Sequence, residues 1–324
     1  MNPALETLAL ACREHFDAAD RTLFLGAEPH PDIRDVTAWQ PLKPLADRCV
    51  SAGMETTADP EGRFRAVLFL PGKAKDEILA GFARAHDCLE HGGKFLVALA
   101  NTAGAARFEK ELSKATPLLF SVSKNKCRAF AVSNSEPWDA GLLESWRELS
   151  KPRLVPGTGF TVGPGVFSSD HIDPGSALLA AHLPHSLHGH VADLGAGWGY
   201  LSRMALEKSP KISRIDLFEA DSRALACARK NVTGPATFHW HDVTTGLPGK
   251  YDHIITNPPF HTGQAKDTDL GKAFLTTAAA SLKRGGTLHL VANRQLPYEA
   301  HLAALGLRSR MLAETGAFKV IECR

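Results

Sequence analysis

One stretch, Val191-Ala-Asp-Leu-Gly-Ala-Gly-Trp-Gly-Tyr-Leu-Ser202, constrains the fold of this chain more than any other. An apolar run leads into three alternate glycines, and a helical pattern follows them, which predicts a buried strand, a tight turn and a helix. Gly195 and Gly197 can adopt backbone angles that other residues avoid, and they let a ligand approach the main chain closely. The stretch therefore predicts a nucleotide-cofactor loop.

The residues around the turn indicate which cofactor it binds. A loop for the pyrophosphate of NAD has the pattern G-x-G-x-x-G, whereas this turn has G-x-G-x-G and follows Asp193. A carboxylate suits the amino group and sulfonium of S-adenosylmethionine, because opposite charges attract strongly in a poorly hydrated cleft. We therefore predict that Asp193, Gly195 and Gly197 bind S-adenosylmethionine.

Two further acids stand at the ends of predicted strands. The apolar run that begins at Ile215 ends at Glu219, at the spacing where α/β nucleotide folds hydrogen-bond ribose hydroxyls. A third predicted strand, 237–241, is followed by Asp242, whose side chain can accept from an adenine amino group. We predict that Glu219 and Asp242 complete the cofactor site.

A fourth predicted strand, 251–256, leads into Asn257-Pro258-Pro259-Phe260. The prolines restrict the backbone and lack an N–H, so the Pro258 carbonyl and the Asn257 side-chain oxygen can face one ligand. Two acceptors that take the hydrogens of an exocyclic amine free its lone pair to attack a methyl group. We predict that Asn257 and Pro258 activate the amine, that Asn257 also borders the cofactor, and that Phe260 stacks on the base.

In this order and spacing, these motifs resemble those of the class I S-adenosylmethionine-dependent methyltransferases that act on planar amino groups. Three further segments are similar to the bacterial small-subunit ribosomal RNA guanine-N2 methyltransferases of the C type: Gly163-Pro-Gly-Val-Phe-Ser168, Ile172-Asp-Pro-Gly-Ser-Ala-Leu-Leu179 and His261-Thr-Gly263. The resemblance implies methyl transfer to the N2 of a guanine in 16S ribosomal RNA, with S-adenosylhomocysteine as the second product. It also implies a lid that places Phe167 near the base.

The N-terminal part repeats the pattern without its reactive residues. Phe64-Arg-Ala-Val-Leu-Phe-Leu-Pro71 parallels the strand that leads into Asn257-Pro258, and each is followed by Ala-Lys-Asp and a later Gly-Gly strand. Where the second half has Asn-Pro-Pro-Phe, the first half has Leu70-Pro-Gly-Lys73. The first half is therefore predicted to have lost the cofactor site.

These comparisons predict an α/β fold with two tandem Rossmann-like domains, each a mostly parallel sheet closed by an antiparallel hairpin. We place a degenerate methyltransferase-like domain, with a scaffold or RNA-docking role, at residues 1–150. The catalytic domain follows at 151–324. The Pro- and Gly-rich segment 150–159 is the expected linker between them.

The charge pattern limits where RNA can bind. A net charge of +2 is nearly neutral, so RNA contacts must come from local patches. We predict such a patch at Lys124, Lys126 and Arg128. The expected partner is ribosomal RNA or the small ribosomal subunit, with no DNA and no membrane partner, and the protein is expected to be a monomer.

Other features point to the cytoplasm and away from a metal. The six cysteines form no C-x-x-C pair, which fits unpaired thiols in a reducing compartment. The chain has no signal-peptide pattern and no long apolar run. Four histidines between positions 182 and 190 have no interleaved cysteine or carboxylate, so no metal is predicted.

Three alternatives stay open at this point. Adenine-N6 and glutamine-N5 methyltransferases use the same acceptor pair, although a Tyr is commoner in the fourth position in those families. A large-subunit guanine-N2 methyltransferase shares the tandem layout. An RNA-binding scaffold with a vestigial cofactor site belongs to a different class, and the intact acids together with Asn257 argue against it.

Overall fold

The computed structural model describes residues 2–15, 21–60, 62–259 and 265–324, with backbone only at 265–267. Phe260 and the segment His261-Thr-Gly263, singled out above, lie outside these ranges. The chain divides into two compact units, Met1–Lys151 and Pro152–Arg324. None of the described helices is long and apolar enough to cross a membrane.

The N-terminal unit contains a seven-stranded sheet with the order β3-β2-β1-β4-β5-β7-β6. Its strands are β1 Thr22–Leu25, β2 Val36–Trp39, β3 Glu55–Thr57, β4 Phe64–Phe69, β5 Leu89–Ala100, β6 Leu118–Lys124 and β7 Cys127–Ser133. Its helices are α1 Pro3–His15, α2 Lys43–Ser51, α3 Lys75–Asp87, α4 Ala105–Ala115 and α5 Ala140–Glu148. The first five strands pair in parallel, whereas β6 and β7 form an antiparallel hairpin at one edge.

The C-terminal unit begins with a short antiparallel pair, β8 Arg153–Leu154 and β9 Thr161–Val162. Its main sheet has the order β12-β11-β10-β13-β14-β16-β15. The strands are β10 His188–Leu194, β11 Lys211–Glu219, β12 Ala236–Trp240, β13 Tyr251–Thr256, β14 Leu282–Asn293, β15 Ser309–Glu314 and β16 Phe318–Cys323. The helices are α6 Pro174–His182, α7 Tyr200–Lys208, α8 Ser222–Asn231, α9 Ala265–Ser281 and α10 Tyr298–Ala304.

The two main sheets have the same strand order, which confirms the fold predicted from the internal repeat. Strands of a parallel sheet are covered on both faces and therefore form continuous apolar runs. Leu23 to Leu25 in β1 and Val191 to Leu194 in β10 are all buried. Each fully buried Leu or Val stabilises the fold by about 1.5–3 kcal/mol relative to an exposed one.

One helix distinguishes the two units. In the C-terminal unit α7 follows β10 directly, whereas residues 26–35 after β1 are all described and form turns with an isolated bridge from His30 to Ile33. A cavity of about 780 Å³ lies beside this loop and is lined by residues that include Arg21, Arg34 and Met54. The N-terminal unit therefore keeps the sheet but lacks the helix that completes a cofactor loop.

Candidate cofactor and amine site

The glycine turn connects β10 to α7 and is held against the neighbouring strand. The backbone N–H groups of Gly195 and Ala196 donate to the Phe218 carbonyl at 2.9 and 3.1 Å. Gly197 has φ of +55°, and a Cβ added there would meet no atom within 4 Å. Its left-handed backbone and its open side are the properties that a ligand-binding turn requires.

Glu219 fixes this turn from the end of β11. Its Oε2 accepts from the Gly197 N–H at 2.7 Å, and its Oε1 accepts from the Asp221 N–H at 2.8 Å. Burial raises the pKa of Glu219, although both of these backbone bonds oppose that rise. Glu219 thus orders the loop, and its predicted contact with a ribose stays a prediction.

Asp193 lies within β10 and is completely buried. Its Oδ2 accepts from the Ser202 hydroxyl at 2.7 Å, but its Oδ1 has no hydrogen-bond partner among the described residues. Burial raises the pKa of Asp193 to about 7. A buried carboxylate with an unused oxygen is stabilised by a cation, because the charged form otherwise loses its hydration without compensation.

Asp242 follows β12 and begins a single turn of 3₁₀ helix, Val243–Thr245. Its Oδ1 accepts from the backbone N–H of Thr244 at 2.9 Å and from the Thr244 hydroxyl at 2.7 Å. These two bonds hold the carboxylate at the carboxyl edge of the sheet. Its predicted contact with adenine is not tested by this geometry.

Asn257 follows β13 and is held by two residues to which the sequence analysis gave no role. Its Nδ2 donates to Asp173 Oδ2 and to Ser176 Oγ, both at 2.8 Å. Its Oδ1 is buried and has no partner among the described residues. Pro258 beside it is also buried. The side chain therefore presents an unused acceptor, as the predicted chemistry requires.

A small cleft of about 60 Å³ brings several predicted residues together. It is lined by Gly195, Gly197, Asn257 and Phe167 and also by Asp173 and Ser176. Phe167 is 66% exposed, and its carbonyl accepts from the Trp198 indole N–H at 3.1 Å. The glycine turn, the amide acceptor and an exposed aromatic ring therefore share one cleft.

Comparison with known proteins identifies the family. Residues 157–322 match the family described as methyltransferase small domain. The ribosomal RNA small subunit methyltransferase C of Haemophilus influenzae is 32% identical over 232 residues, which cover 71% of this chain and 70% of that protein. The chain belongs to this methyltransferase family. The protein of the same name from Pectobacterium atrosepticum is 29% identical over 88% of this chain and 81% of its own length.

A solved structure of the same type supports the fold of the whole chain. A 16S rRNA N2 methyltransferase of T. thermophilus, in complex with AdoMet and guanosine, superposes with a TM-score of 0.81. The alignment covers 100% of this chain and 92% of that chain at 23% identity. Both units of this methyltransferase, including the degenerate one, are thus part of the shared architecture.

The predicted basic patch lies in the N-terminal unit, on the hairpin of β6 and β7. Lys124 and Lys126 are exposed, and Asn125 and Lys126 form its tight turn with φ of 52° and 56°. Arg128 is half-buried and forms an ion pair with Glu109. Lys124 and Lys126 are therefore the residues of the predicted patch whose charges face solvent.

The sequence analysis singled out the segment that contains Asp173 and Ser176 but gave neither residue a role, because their contacts are with a distant part of the chain. Asp173 and Ser176 lie 84 and 81 residues before Asn257 in the chain. The available signal was local: Asp173-Pro174 is typical of a helix start, and Asp173 caps α6 by accepting from the Ser176 N–H at 2.7 Å. The described residues contain no group of three or more potential ligands that could hold a metal ion.

Proposed function

We propose that this protein transfers a methyl group from S-adenosylmethionine to the exocyclic N2 of a guanine in 16S ribosomal RNA. The observation that carries this proposal is the buried Oδ1 of Asn257, which has no partner in the described part of the chain and lies in the same cleft as the glycine turn. The names of the relatives indicate the small ribosomal subunit, and the related T. thermophilus protein was solved with guanosine.

The residues around the glycine turn fit S-adenosylmethionine. The unused oxygen of Asp193 suits a cationic group, and the open side of Gly197 leaves space for a ligand against the main chain. We assign Glu219 to the ribose and Asp242 to the adenine. Once bound, the cofactor supplies a methyl group activated by its positively charged sulfonium.

Asn257 and Pro258 act on the substrate amine. The Asn257 Oδ1 and the Pro258 carbonyl accept the two hydrogens of the guanine N2, which frees the nitrogen lone pair for the methyl carbon. As the N–C bond forms, the S–C bond breaks, and the amine proton leaves to these acceptors or to water. Correct positioning of such groups contributes up to about 7–11 kcal/mol in well-oriented systems.

Aromatic residues compensate for removing the guanine from its stack. Extruding a base costs a few kcal/mol and costs least in a loop or junction of the RNA. Stacking on one aromatic ring returns about 1–3 kcal/mol. We assign this contact to Phe260. We assign a second stacking contact to Phe167, whose exposed ring lines the cleft of the glycine turn.

The N-terminal unit docks the RNA in this proposal. It carries the exposed Lys124 and Lys126, and it has no counterpart of Asn257 because Leu70 occupies that position after β4. We further propose that the protein acts as a monomer in the cytoplasm, where ribosomal subunits are assembled, and that it has no DNA or membrane partner.

The test measures which substrate takes up methyl groups. The protein and methyl-labelled S-adenosylmethionine are incubated with 16S rRNA, small subunits, 23S rRNA, DNA and a peptide-release factor. We expect label only in 16S rRNA or small subunits, recovered as N2-methylguanosine after nuclease digestion. Label in 23S rRNA, in DNA, in release factor or in N6-methyladenosine would favour one of the alternative methyltransferases instead.

A further inference from the structure

The orientation of the Asn257 amide decides whether it can take part in the reaction. The two ends of a carboxamide are nearly identical in shape, but the oxygen only accepts and the nitrogen only donates hydrogen bonds. A flipped amide would direct N–H groups at an amine whose hydrogens need acceptors. The protein therefore needs a group that distinguishes the two ends.

Asp173 is that group. An ionised carboxylate only accepts hydrogen bonds, so the side chain that contacts Asp173 Oδ2 must present its nitrogen, as Asn257 does at 2.8 Å. The Ser176 hydroxyl at 2.8 Å can donate or accept and could pair with either end of the amide. Asp173 alone makes one orientation of Asn257 more stable than the other.

The fold holds Asp173 in place. The same Oδ2 that receives the Asn257 Nδ2 also accepts from the Ser176 N–H at 2.7 Å and caps α6. Pro174 starts the helix with a backbone angle that suits this position. The carboxylate is thereby fixed before any substrate arrives.

The N-terminal unit offers a natural comparison. Its helix α1 begins at Pro3 and is capped by Asn2, whose Oδ1 accepts from the Ala4 N–H at 3.1 Å. The Asn2 Nδ2 donates to Glu28 at 2.8 Å, and Leu70 stands in the place of Asn257. The unit in which Leu70 takes the place of the amide acceptor thus has the amide of Asn2, not a carboxylate, at the cap.

We propose that Asp173 is a positioning residue for methyl transfer, whose carboxylate holds the Asn257 nitrogen so that its oxygen faces the reacting amine. The catalytic consequence rests on the proposed function, whereas the orientation of the amide is a property of the protein alone. These two parts can therefore be tested separately.

The kinetic test uses Asp173→Ser, because serine is also a good helix cap but is too short to reach Asn257. We expect kcat to fall about 100-fold, which is the effect of misplacing a reacting group by roughly 1 Å. The Kd for S-adenosylmethionine should stay within about threefold. Asp173→Asn keeps an acceptor oxygen and should restore kcat to within about tenfold of the wild type. The matched control is Asn2→Ser, which changes the equivalent cap and should leave kcat unchanged.

The second readout does not require activity. Selective ¹⁵N labelling of the seven asparagines gives few side-chain amide signals, and Asn257→Leu identifies the one of interest. We expect slow hydrogen exchange at the Asn257 amide in the wild type and at least tenfold faster exchange in Asp173→Ser. The proposal would be overturned if Asp173→Ser had the same exchange rate as the wild type or an unchanged kcat. It would also be overturned if the Kd of this variant for S-adenosylmethionine rose more than tenfold, because Asp173 would then be a cofactor ligand. If the wild type methylates no guanine, the proposed function fails while the exchange experiment still tests the orientation.

Discussion

The two units share one sheet topology but differ in the residues at their loops, and the residues at the ends of β2 and β11 show this difference. In the C-terminal unit, Glu219 accepts from the backbone N–H groups of Gly197 and Asp221. In the N-terminal unit, Gln40 holds that position, accepts from the Leu42 N–H at 3.1 Å and donates to the Ala27 carbonyl at 2.8 Å. Loop and strand are joined in both units, but the direction of one hydrogen bond is reversed.

The residues that correspond to the proposed cofactor and amine site also differ between the two units. Register with the neighbouring strands places Phe24 at the position of Asp193, and Leu70 at the position of Asn257. Both replacements are buried and apolar, whereas Asp193 and Asn257 each leave one oxygen without a partner among the residues that the structure describes. Unsatisfied buried acceptors cost about 1–3 kcal/mol each, so the C-terminal unit gives up stability that the N-terminal unit retains.

The largest expected effect comes from giving the C-terminal unit the residue that the N-terminal unit has at one position. Asn257→Leu should lower kcat about 1000-fold, equivalent to about 4 kcal/mol, because the amine loses an acceptor that acts in the transition state. The Kd for S-adenosylmethionine should stay within a few-fold in calorimetry. The reciprocal Leu70→Asn should gain no activity and should destabilise the protein, since it buries an unpaired amide. Substantial turnover by Asn257→Leu would refute the mechanism.

The second comparison concerns pH and uses His289 in β14, whose sheet position is occupied by Leu96 in the N-terminal unit. Burial lowers the pKa of His289 from 6.5 to about 4, against the opposing charge of Glu322. The unfolded chain binds this proton below pH 6.5 and the folded chain does not until about pH 4, so stability falls as pH falls through this window. Over this window the loss is about 3 kcal/mol.

Urea denaturation of the wild type and of His289→Leu at pH 7 and pH 4.5 measures the contribution of His289 together with its interactions with Glu322 and His253, because titrating groups that do not interact with His289 cancel in the difference. We expect the variant to lose less stability on acidification. Identical losses in the two proteins would show that His289 is not the responsible group.

A third variant reverses the hydrogen bond that distinguishes the loops. Glu219→Gln leaves one oxygen for two N–H groups, so either Gly197 or Asp221 faces an NH₂ group and loses its acceptor. A lost bond to a charged group costs about 1.5–3 kcal/mol, which predicts a rise of at least tenfold in the Kd for S-adenosylmethionine. Gln40→Glu is the control, and it should lower stability without changing that Kd. Normal cofactor binding by Glu219→Gln would show that the turn does not depend on this carboxylate.

The smallest effect should come from the surface of the N-terminal unit. Lys124→Glu with Lys126→Glu should weaken RNA binding several-fold and reduce the slope of log K against log salt by about 1–2, since each phosphate contact contributes 0.7–0.9. Filter binding across a salt series measures this slope, and calorimetry should give an unchanged Kd for S-adenosylmethionine. An unaltered slope would place the RNA contacts elsewhere.

Local sequence signals predicted most of the fold. The strand Tyr251–Thr256 has the predicted bounds, and all of its residues except Asp252 are buried, as expected for a strand inside a parallel sheet. The internal repeat predicted the two equal sheets. The repeat did not predict that the N-terminal unit lacks a helix after β1, because a loop with glycine and proline can either precede a helix or take its place.

The site was predictable only in part. The glycine turn and the acids at strand ends follow from the order of elements, because parallel strands end at one edge of a sheet. The contact between Asp173 and Asn257 spans 84 residues and depends on how α6 packs, which no local pattern reveals. The ion pair of Arg128 with Glu109 is a tertiary contact of the same kind.

The proline after Asn257 has a consequence for how the protein ages. Asparagine side chains deamidate when the backbone nitrogen of the next residue loses its proton and attacks the side-chain carbonyl carbon. Pro258 has no proton on that nitrogen, so the ring closure that would convert Asn257 to aspartate is blocked. The side chain that we propose to activate the amine is thus protected from a chemical lesion that remains open to Asn125, which is followed by lysine.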